Sequence, residues 1–517
     1  MVAFEDVESS LLGKPSDETP EVPERTPSNY APLKTFELEK GRQYQQQYAD
    51  IYFLRLTKIK PAVEEVAAEE WDGLSIGTEK ARRVERVLDV RQGELCYVAG
   101  TIYVDMPLKP NVMDDVSKDR WIGAPTTVQK YFSDDGTNTV SLEDDSGRII
   151  LIGNGLSNVL LVTGCIVAVM GTENVNGEFE VIDIKFPDLA PQPDRWALST
   201  QLPSTNTNTT SKKGKSSSKQ KEEEDVEMSD ASKTTSGKIA IVSGLEFSGT
   251  DNSYAMDLDL LLEYLLGEAL DPATQSELSH ISRLIIAGNS IAADRKTAQE
   301  ASDPTDKKSH RKYGYDSKSY NAQPSHLFDE FLDELLPSMP VTLLPGALDP
   351  ANSSYPQQPI HTAMFPKSRS YAAVPGRSAE PGWFDAATNP LEMEVEGWRV
   401  LGTGGQNVDD MAKYVDSDDR LGMMEAMCRW RCSAPTAPDT LSSYPFQDDE
   451  PFVMTACPHL YFVGCQPEFG TKVIQGPDGQ MVRLITVPSF STSREIVLVD
   501  TETLDLSRVK IAAVGSV

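Results

Sequence analysis

From Lys238 to the C-terminus, short unbroken apolar runs alternate with stretches of helical periodicity. Residues 238–243, 283–288 and 341–346 read as buried strands. The helical stripes at 256–270 and 326–336, the second carried by Phe328, Phe331, Leu332 and Leu335, fall between them. Strand, helix, strand, helix, strand in this order implies parallel pairing with crossover helices. A second series of apolar runs follows at 398–402, 452–456, 459–464, 481–487 and 494–499. Two sheets packed face to face between helices accommodate both series.

Before that region the period changes. Residues 94–105, 139–152, 162–171 and 178–186 are β-branched and aromatic-rich, and the second stretch holds two strands around an Asp144-Asp145-Ser146-Gly147 turn. About five strands, with glycines where a sheet must bend, predict a small OB-type barrel within 80–200. Upstream, Tyr44, Tyr48, Ile51, Tyr52 and Ile59 recur at helical steps, predicting an amphipathic helix within 37–79 that stops before Pro61, its tyrosines packed in a core. Residues 1–36 read as a disordered acidic tail. Residues 201–237 read as a disordered Ser/Lys/Glu-rich insertion, with a basic cluster from Lys212 to Lys221 ahead of Glu222 to Asp230. That cluster fits a nuclear import signal as well as ordinary linker charge. The remaining unit is 238–517. The fold class is thus α/β with an all-β module.

Composition narrows the function. The 517 residues include 79 acidic and 48 basic ones, a formal charge of −31, so a phosphate backbone meets a repulsive field. The barrel hairpin itself carries Glu143, Asp144 and Asp145, with Glu178 and Glu180 beside it. A structural or protein-binding barrel is expected, with DNA reached only indirectly. No apolar run reaches the roughly 18 residues of a membrane span and no leader pattern opens the chain, so no membrane partner and an intracellular, reducing compartment are expected. The six cysteines are expected to be reduced and buried. Cys428, Cys432, Cys457 and Cys465 are separated by three, twenty-four and seven residues, which matches no zinc pattern.

Four loops that follow apolar runs hold the candidate chemistry: 242–246, 287–292, 344–349 and 463–467. They resemble the ligand loops of a dinuclear metallophosphoesterase, which would read roughly S-D-x-H, G-D-x-x-D, G-N-H-D and G-H-x-H. Here Gly244, Glu246, Asn289, Ala292, Ala347, Leu348, Cys465 and Pro467 stand where Asp, Asn and His ligands belong, and Asp349 is the acidic residue kept in the third loop. Two cations about 3.5–4 Å apart need several such ligands, and none of the five histidines occupies one of these places. His459 reads as a hydrogen-bonded structural residue, and 402–409 as a tight turn before a helix, not a phosphate cradle. No Gly-x-Ser-x-Gly elbow is present. No catalytic residue, metal or cofactor is expected.

The order of modules, with 140–149, 388–390, 401–410 and 457–470, makes the chain similar to the B-subunit family of eukaryotic replicative DNA polymerases. The delta branch is nearest, since the room before the barrel is too small for the helical domain of the alpha and epsilon branches. The resemblance covers about 38–517 apart from 201–237. It implies an OB domain followed by a catalytically degenerate calcineurin-like phosphoesterase domain. It also implies a nuclear, non-catalytic subunit for DNA replication and repair, holding the cysteine-rich C-terminal domain of the catalytic chain. The third, extended subunit that leads to the sliding clamp is the other implied partner. Trp383 and Phe384, in a loop region rich in aromatic residues, are candidate interface anchors. The competing readings are a B-subunit of another replicative polymerase, an active metal-dependent phosphodiesterase or nuclease, and a single-strand binder using the barrel.

Overall fold

The computed structural model describes residues 23–43, 46–77, 79–109, 130–133, 137–156, 159–197, 237–268, 272–292, 321–373 and 381–511. The chain begins with a short strand β1 (Tyr30–Pro32), followed by helix α1 (Ala49–Trp71) and a small hairpin of β2 (Ser75–Ile76) and β3 (Glu79–Lys80). The barrel is built from β4 (Arg82–Arg83), β5 (Cys96–Asp105), β6 (Thr139–Glu143), β7 (Arg148–Ile152), β8 (Ile166–Glu173) and β9 (Glu178–Lys185). Its order is β4-β5-β6-β7-β9-β8, and a β5–β8 pairing closes it. The predicted turn between β6 and β7 is held by Asp144, whose Oδ1 accepts from Ser146 N at 2.8 Å and Gly147 N at 3.1 Å. Its Oδ2 accepts from Val87 N at 2.8 Å.

The next unit contains β10 (Lys238–Val242), α2 (Asn252–Leu266), α3 (Pro272–Ser279), β11 (Ile281–Ala287), α4 (Gln323–Leu335), β12 (Val341–Leu344) and β13 (Phe384–Ala386). It continues with β14 (Leu391–Val395), β15 (Trp398–Thr403), α5 (Gln406–Met411), α6 (Arg420–Arg429), β16 (Leu460–Gln466), β17 (Gly470–Gln475), β18 (Met481–Pro488), β19 (Glu495–Asp500) and β20 (Leu506–Lys510). One six-stranded sheet runs β13-β12-β11-β10-β19-β20, the other β1-β14-β15-β16-β18-β17. Strands β10 to β13 are mutually parallel, as are β15, β16 and β18. The runs of β10, β11 and β12 are buried and mostly apolar because both faces are covered, with Ser282, Arg283 and Thr342 as the buried polar exceptions. Ile241, Ile285 and Leu344 meet Val400, Phe462 and Ile485 between the sheets. Helices α2 and α4 cover the outer face of the first sheet, and α5, α6 and the barrel cover that of the second.

Several expectations are corrected. Helix α1 continues through Pro61. Pro61 lies on its exposed face, where water solvates the carbonyl that loses its partner, while Ile59, Val63, Ala67 and Trp71 are buried beside the barrel strands. Tyr48 is exposed, not packed in a core, and Tyr44 lies outside the described residues. Residues 452–456 form no strand; Val453 makes a single bridge to Cys432. The 494–499 run joins the first sheet, pairing antiparallel with β10, not the second.

Residues 23–36 are not a disordered tail. They form a strap across the edges of both sheets, while 1–22 lie outside the described residues. The Nη atoms of Arg25 donate to the backbone oxygens of Leu265 at 2.9 Å, Ile281 at 3.0 Å and Leu278 at 3.2 Å. Two of these belong to the last turns of α2 and α3, where orphan carbonyls and the helix dipole favour a cation. Strand β1 pairs with β14, and Phe36 stacks on Phe452 with ring centres 6.2 Å apart. The insertion at 201–236 lies outside the described residues, as does its basic cluster. No described helix is long and apolar enough to cross a membrane.

The barrel and the double-sheet unit meet at Arg55, which sits in the apolar stripe of α1 and is fully buried. Its guanidinium pairs with Glu450, equally buried, at 2.5 Å. It also donates to the backbone oxygens of Pro435 at 2.7 Å, Ala437 at 2.8 Å and, within the barrel, Gly164 at 3.3 Å. A Cβ at Gly164 would lie 2.1 Å from the Pro435 oxygen, so the two units touch backbone to backbone.

Candidate functional site

Parallel strands in an open α/β sheet present ligand loops at their C-terminal ends. The loops after β10, β11, β12, β15 and β16 converge there into a ring. The structure brings Gly244, Glu246, Asn289, Asp349 and Cys465 together in it. The ring is closed by its own backbone. Gly244 N donates to Gly288 O at 2.9 Å, Glu246 N to Asn289 O at 3.0 Å, and Gly288 N to Leu344 O at 3.1 Å. Cβ atoms built on Gly346 and Gly464 would lie 2.2 Å from Asn289 N and 2.1 Å from Ala287 O. Glu246, Asn289 and Cys465 all adopt left-handed backbone, with φ of 44°, 52° and 54°. Such non-glycine positions cost on the order of 1–3 kcal/mol each and cluster where the surroundings over-determine a site.

Asp349 is buried inside this ring. Its Oδ1 accepts from Ile291 N at 2.9 Å and its Oδ2 from Gly346 N at 2.7 Å, so both oxygens already tie two loops together. Burial pushes its carboxyl up to about 6, against the opposing pull of backbone N–H groups from Ile291, Gly346, Ser290 and Asn289. The Asn289 side chain reaches the rim, its Oδ1 accepting from Leu348 N at 3.0 Å. Burial, followed by the negative charges of Asp349, Asp409 and Glu246, drives the Cys465 thiol upward. That environment keeps it protonated and unsuited to act as a nucleophile. Asp409 is paired with Arg420 at 2.8 Å. Ala347 and Leu348 are exposed at the rim with Pro467. Ala292 N donates to Phe247 O at 3.1 Å, away from the carboxylate. Among the described residues, no group of three or more His, Cys, Asp or Glu side chains is placed to hold a metal ion.

Side chains outside the four loops also line the ring. Asn389 Oδ1 accepts from Gly404 N at 2.9 Å, and its Nδ2 donates to Gln357 Oε1 at 2.9 Å and Gln406 Oε1 at 2.8 Å. Gln406 Nε2 donates to Gln357 Oε1 at 2.8 Å, and Gln357 Nε2 to Gly346 O at 3.1 Å. Neutral amides thus link the loops. Asn389 and Gln406 lie inside the conspicuous segments 388–390 and 401–410, which was the available signal. Ser243 Oγ accepts from Cys465 N at 2.9 Å and faces the oxygens of Val487 and Pro488.

His459 is a structural residue: its Nδ1 accepts from Arg399 N at 3.1 Å, and its ring packs edge-on to Trp398. All six cysteines are free, five buried and Cys465 partly so. Trp383 is 50% exposed. Phe384 is not available as an interface anchor: it points into the core against Phe365, with ring centres 5.4 Å apart. Successive strand residues face opposite ways, which separates these neighbours.

Restoring a ligand tests how full the ring is. Gly244 has φ of 61°, and a Cβ there would lie 1.8 Å from Ser489 Oγ and 2.9 Å from Ser489 Cα. Gly244→Asp is expected to cost roughly 2–4 kcal/mol in urea unfolding, with no gain of metal affinity by calorimetry.

Family comparisons place this architecture among the B-subunits of DNA polymerases. The family model for the B-subunit of DNA polymerases alpha and epsilon matches residues 239–471, and that for the DNA polymerase delta subunit OB-fold domain matches 47–184. The chain is 33% identical over 502 residues to the DNA polymerase delta small subunit of Saccharomyces cerevisiae, covering 91% of each chain. It is 32% identical to the proteins of that name in Oryza sativa subsp. japonica (94% of this chain, 97% of the relative) and Arabidopsis thaliana (93% and 95%). The chain belongs to the DNA polymerase delta small subunit family.

Proposed function

We propose that this chain is a non-catalytic accessory subunit of DNA polymerase delta, acting in the nucleus. Its double-sheet unit is read as a calcineurin-like phosphoesterase scaffold whose metal positions have been replaced. Its partners are the cysteine-rich C-terminal domain of the catalytic chain and a third, extended subunit that leads to the sliding clamp. DNA is met only through the assembly, as a net charge of −31 favours.

The observation that carries this reading is Asp349. Both oxygens of the one acidic residue kept in the third loop are engaged by backbone N–H groups of the ring. A catalytic pair of cations needs carboxylates and imidazoles free to face a bridging water. Here neutral amides tie the adjoining segments together, and the Asp409 carboxylate is paired with Arg420. Affinity-tagged full-length chain recovered from nuclei is expected to bring down a large polymerase chain in stoichiometric amount. Recovery alone, with metal-dependent phosphodiester hydrolysis by the purified chain, would refute the proposal.

A further inference from the structure

At the opposite end of the parallel strands from the loop ring, the N-terminal strap and the first sheet enclose a cleft of about 570 Å³. Arg283, at the start of β11, Pro340, just before β12, and Trp383, just before β13, line one side, and Arg25 to Tyr30 the other. The described lining carries two arginines and no carboxylate. Arg25 is engaged by main-chain oxygens, as above. Arg283 is in a different state. It is only 4% exposed, its Nε donates to Ser28 Oγ at 3.1 Å, and its Nη1 donates to Thr342 Oγ1 at 2.9 Å. Its carbon Cζ lies 3.8 Å from the centre of the Tyr30 ring.

Among the described residues, no carboxylate forms an ion pair with Arg283. The two acidic groups whose field reaches it are otherwise engaged. Asp385 accepts from Tyr30 OH at 2.5 Å, and Glu396 accepts from Asn29 N and Nδ2 at 2.8 and 3.0 Å. Burial accordingly pulls the Arg283 guanidinium below its ordinary range. A buried cation held by two hydroxyls and a ring face is under-compensated, and its Nη2 has no partner among the described residues.

We propose that this cleft receives an acidic side chain from a segment of a protein partner, its carboxylate on Arg283 and an adjoining apolar residue on Trp383. The inference rests on the accessory-subunit reading and names the chemistry of one of its contacts. A guanidinium with free N–H groups matches a carboxylate in a planar, charge-assisted pair. The volume exceeds what one carboxylate fills, and a half-exposed indole at the lip suits an apolar neighbour. A nucleic-acid strand is the poorer occupant. It needs several phosphate-neutralising cations along a track, whereas the described lining offers Arg283 alone, Arg25 being taken up by main-chain oxygens.

The test uses the intact assembly purified with its other subunits. A photoreactive p-benzoylphenylalanine replaces Pro27, an exposed lining residue, and adducts are mapped by mass spectrometry after irradiation. The expected adduct lies on another subunit, in a stretch with Asp or Glu next to an apolar residue. Its yield falls about tenfold or more in Trp383→Ala and in Arg283→Gln. Trp383→Ala alters only the surface, so it stands as the test if Arg283→Gln melts early through loss of its stacking on Tyr30. Adducts confined to this chain, on DNA or on a stretch without acidic residues overturn the inference, as does a yield insensitive to Trp383→Ala. An assembly that copurifies without the adduct removes the cleft's role alone. Chains that fail to copurify remove the accessory role itself.

Discussion

Arg55→Ala is expected to destabilise the chain by about 3–5 kcal/mol, because it leaves the fully buried Glu450 carboxyl without its guanidinium partner. The pair is more than a local contact. Arg55 belongs to α1, Gly164 to the barrel and Glu450, Pro435 and Ala437 to the double-sheet unit, so one guanidinium fixes three segments. In urea unfolding followed by fluorescence and circular dichroism, the variant's transition moves to lower denaturant and separates into two steps. Arg55→Met combined with Glu450→Leu removes the unpaired carboxyl and is expected to be no worse than Arg55→Ala alone, since an apolar pair of similar volume replaces a desolvated ion pair. The carbonyls that Arg55 serves remain unpartnered in both, so full recovery is not expected. A double variant that loses the sum of two independent effects would show that the ion pair is not the coupling element.

The second large effect is at Asp349. Asp349→Ala leaves the N–H groups of Ile291 and Gly346 without their acceptor inside a buried ring, at an expected cost of roughly 2–5 kcal/mol. A metal ligand would behave differently, losing ion affinity while stability changed little in the apo protein. The pH dependence has a definite sign. The folded carboxyl lies at about 6, pushed up by burial, against an ordinary value of 3.8. Between those values the folded state binds more protons than the unfolded one, so stability falls as pH rises. The contribution is fully present below about pH 4 and lost as pH passes about 6, by up to about 3 kcal/mol, with no further change from this group above that. Asp349→Asn removes this component, so the difference between wild type and variant should vary across pH 4 to 6 and be flat from 7 to 9. A flat difference throughout would contradict the burial of an ionisable group.

How much of this was visible in the sequence depends on the kind of signal. The strands β10, β11, β12 and β16 were legible because a strand covered on both faces needs an unbroken apolar run. The loops that follow them could therefore be aligned as one ring, and Gly244, Asn289, Asp349 and Cys465 do meet there. The amide network was not legible. Gln357, Asn389 and Gln406 are ordinary surface residue types with no spacing rule, and folding alone makes them neighbours. Arg55 was hidden because an arginine within an apolar stripe breaks the periodicity that defines the stripe; its partner lies 395 residues away. The strap 23–36 is hidden for a related reason. Three residues of strand carry no period, and Arg25 finds its carbonyl partners 240 to 256 residues downstream. The Phe384 expectation failed on side-chain direction, since composition marks a loop as aromatic but not which ring faces inward.

The ring of strand-end loops is tied by its own backbone and by amides, and in the proposed role this subunit acts by holding partners. The direct measurement is the metal content of the native full-length chain after equilibration with manganese and zinc and then desalting, determined by elemental mass spectrometry. Metal far below one ion per chain, unchanged in Asp349→Asn, is the predicted result. Two tightly retained ions per chain, lost in Asp349→Asn, would contradict the account.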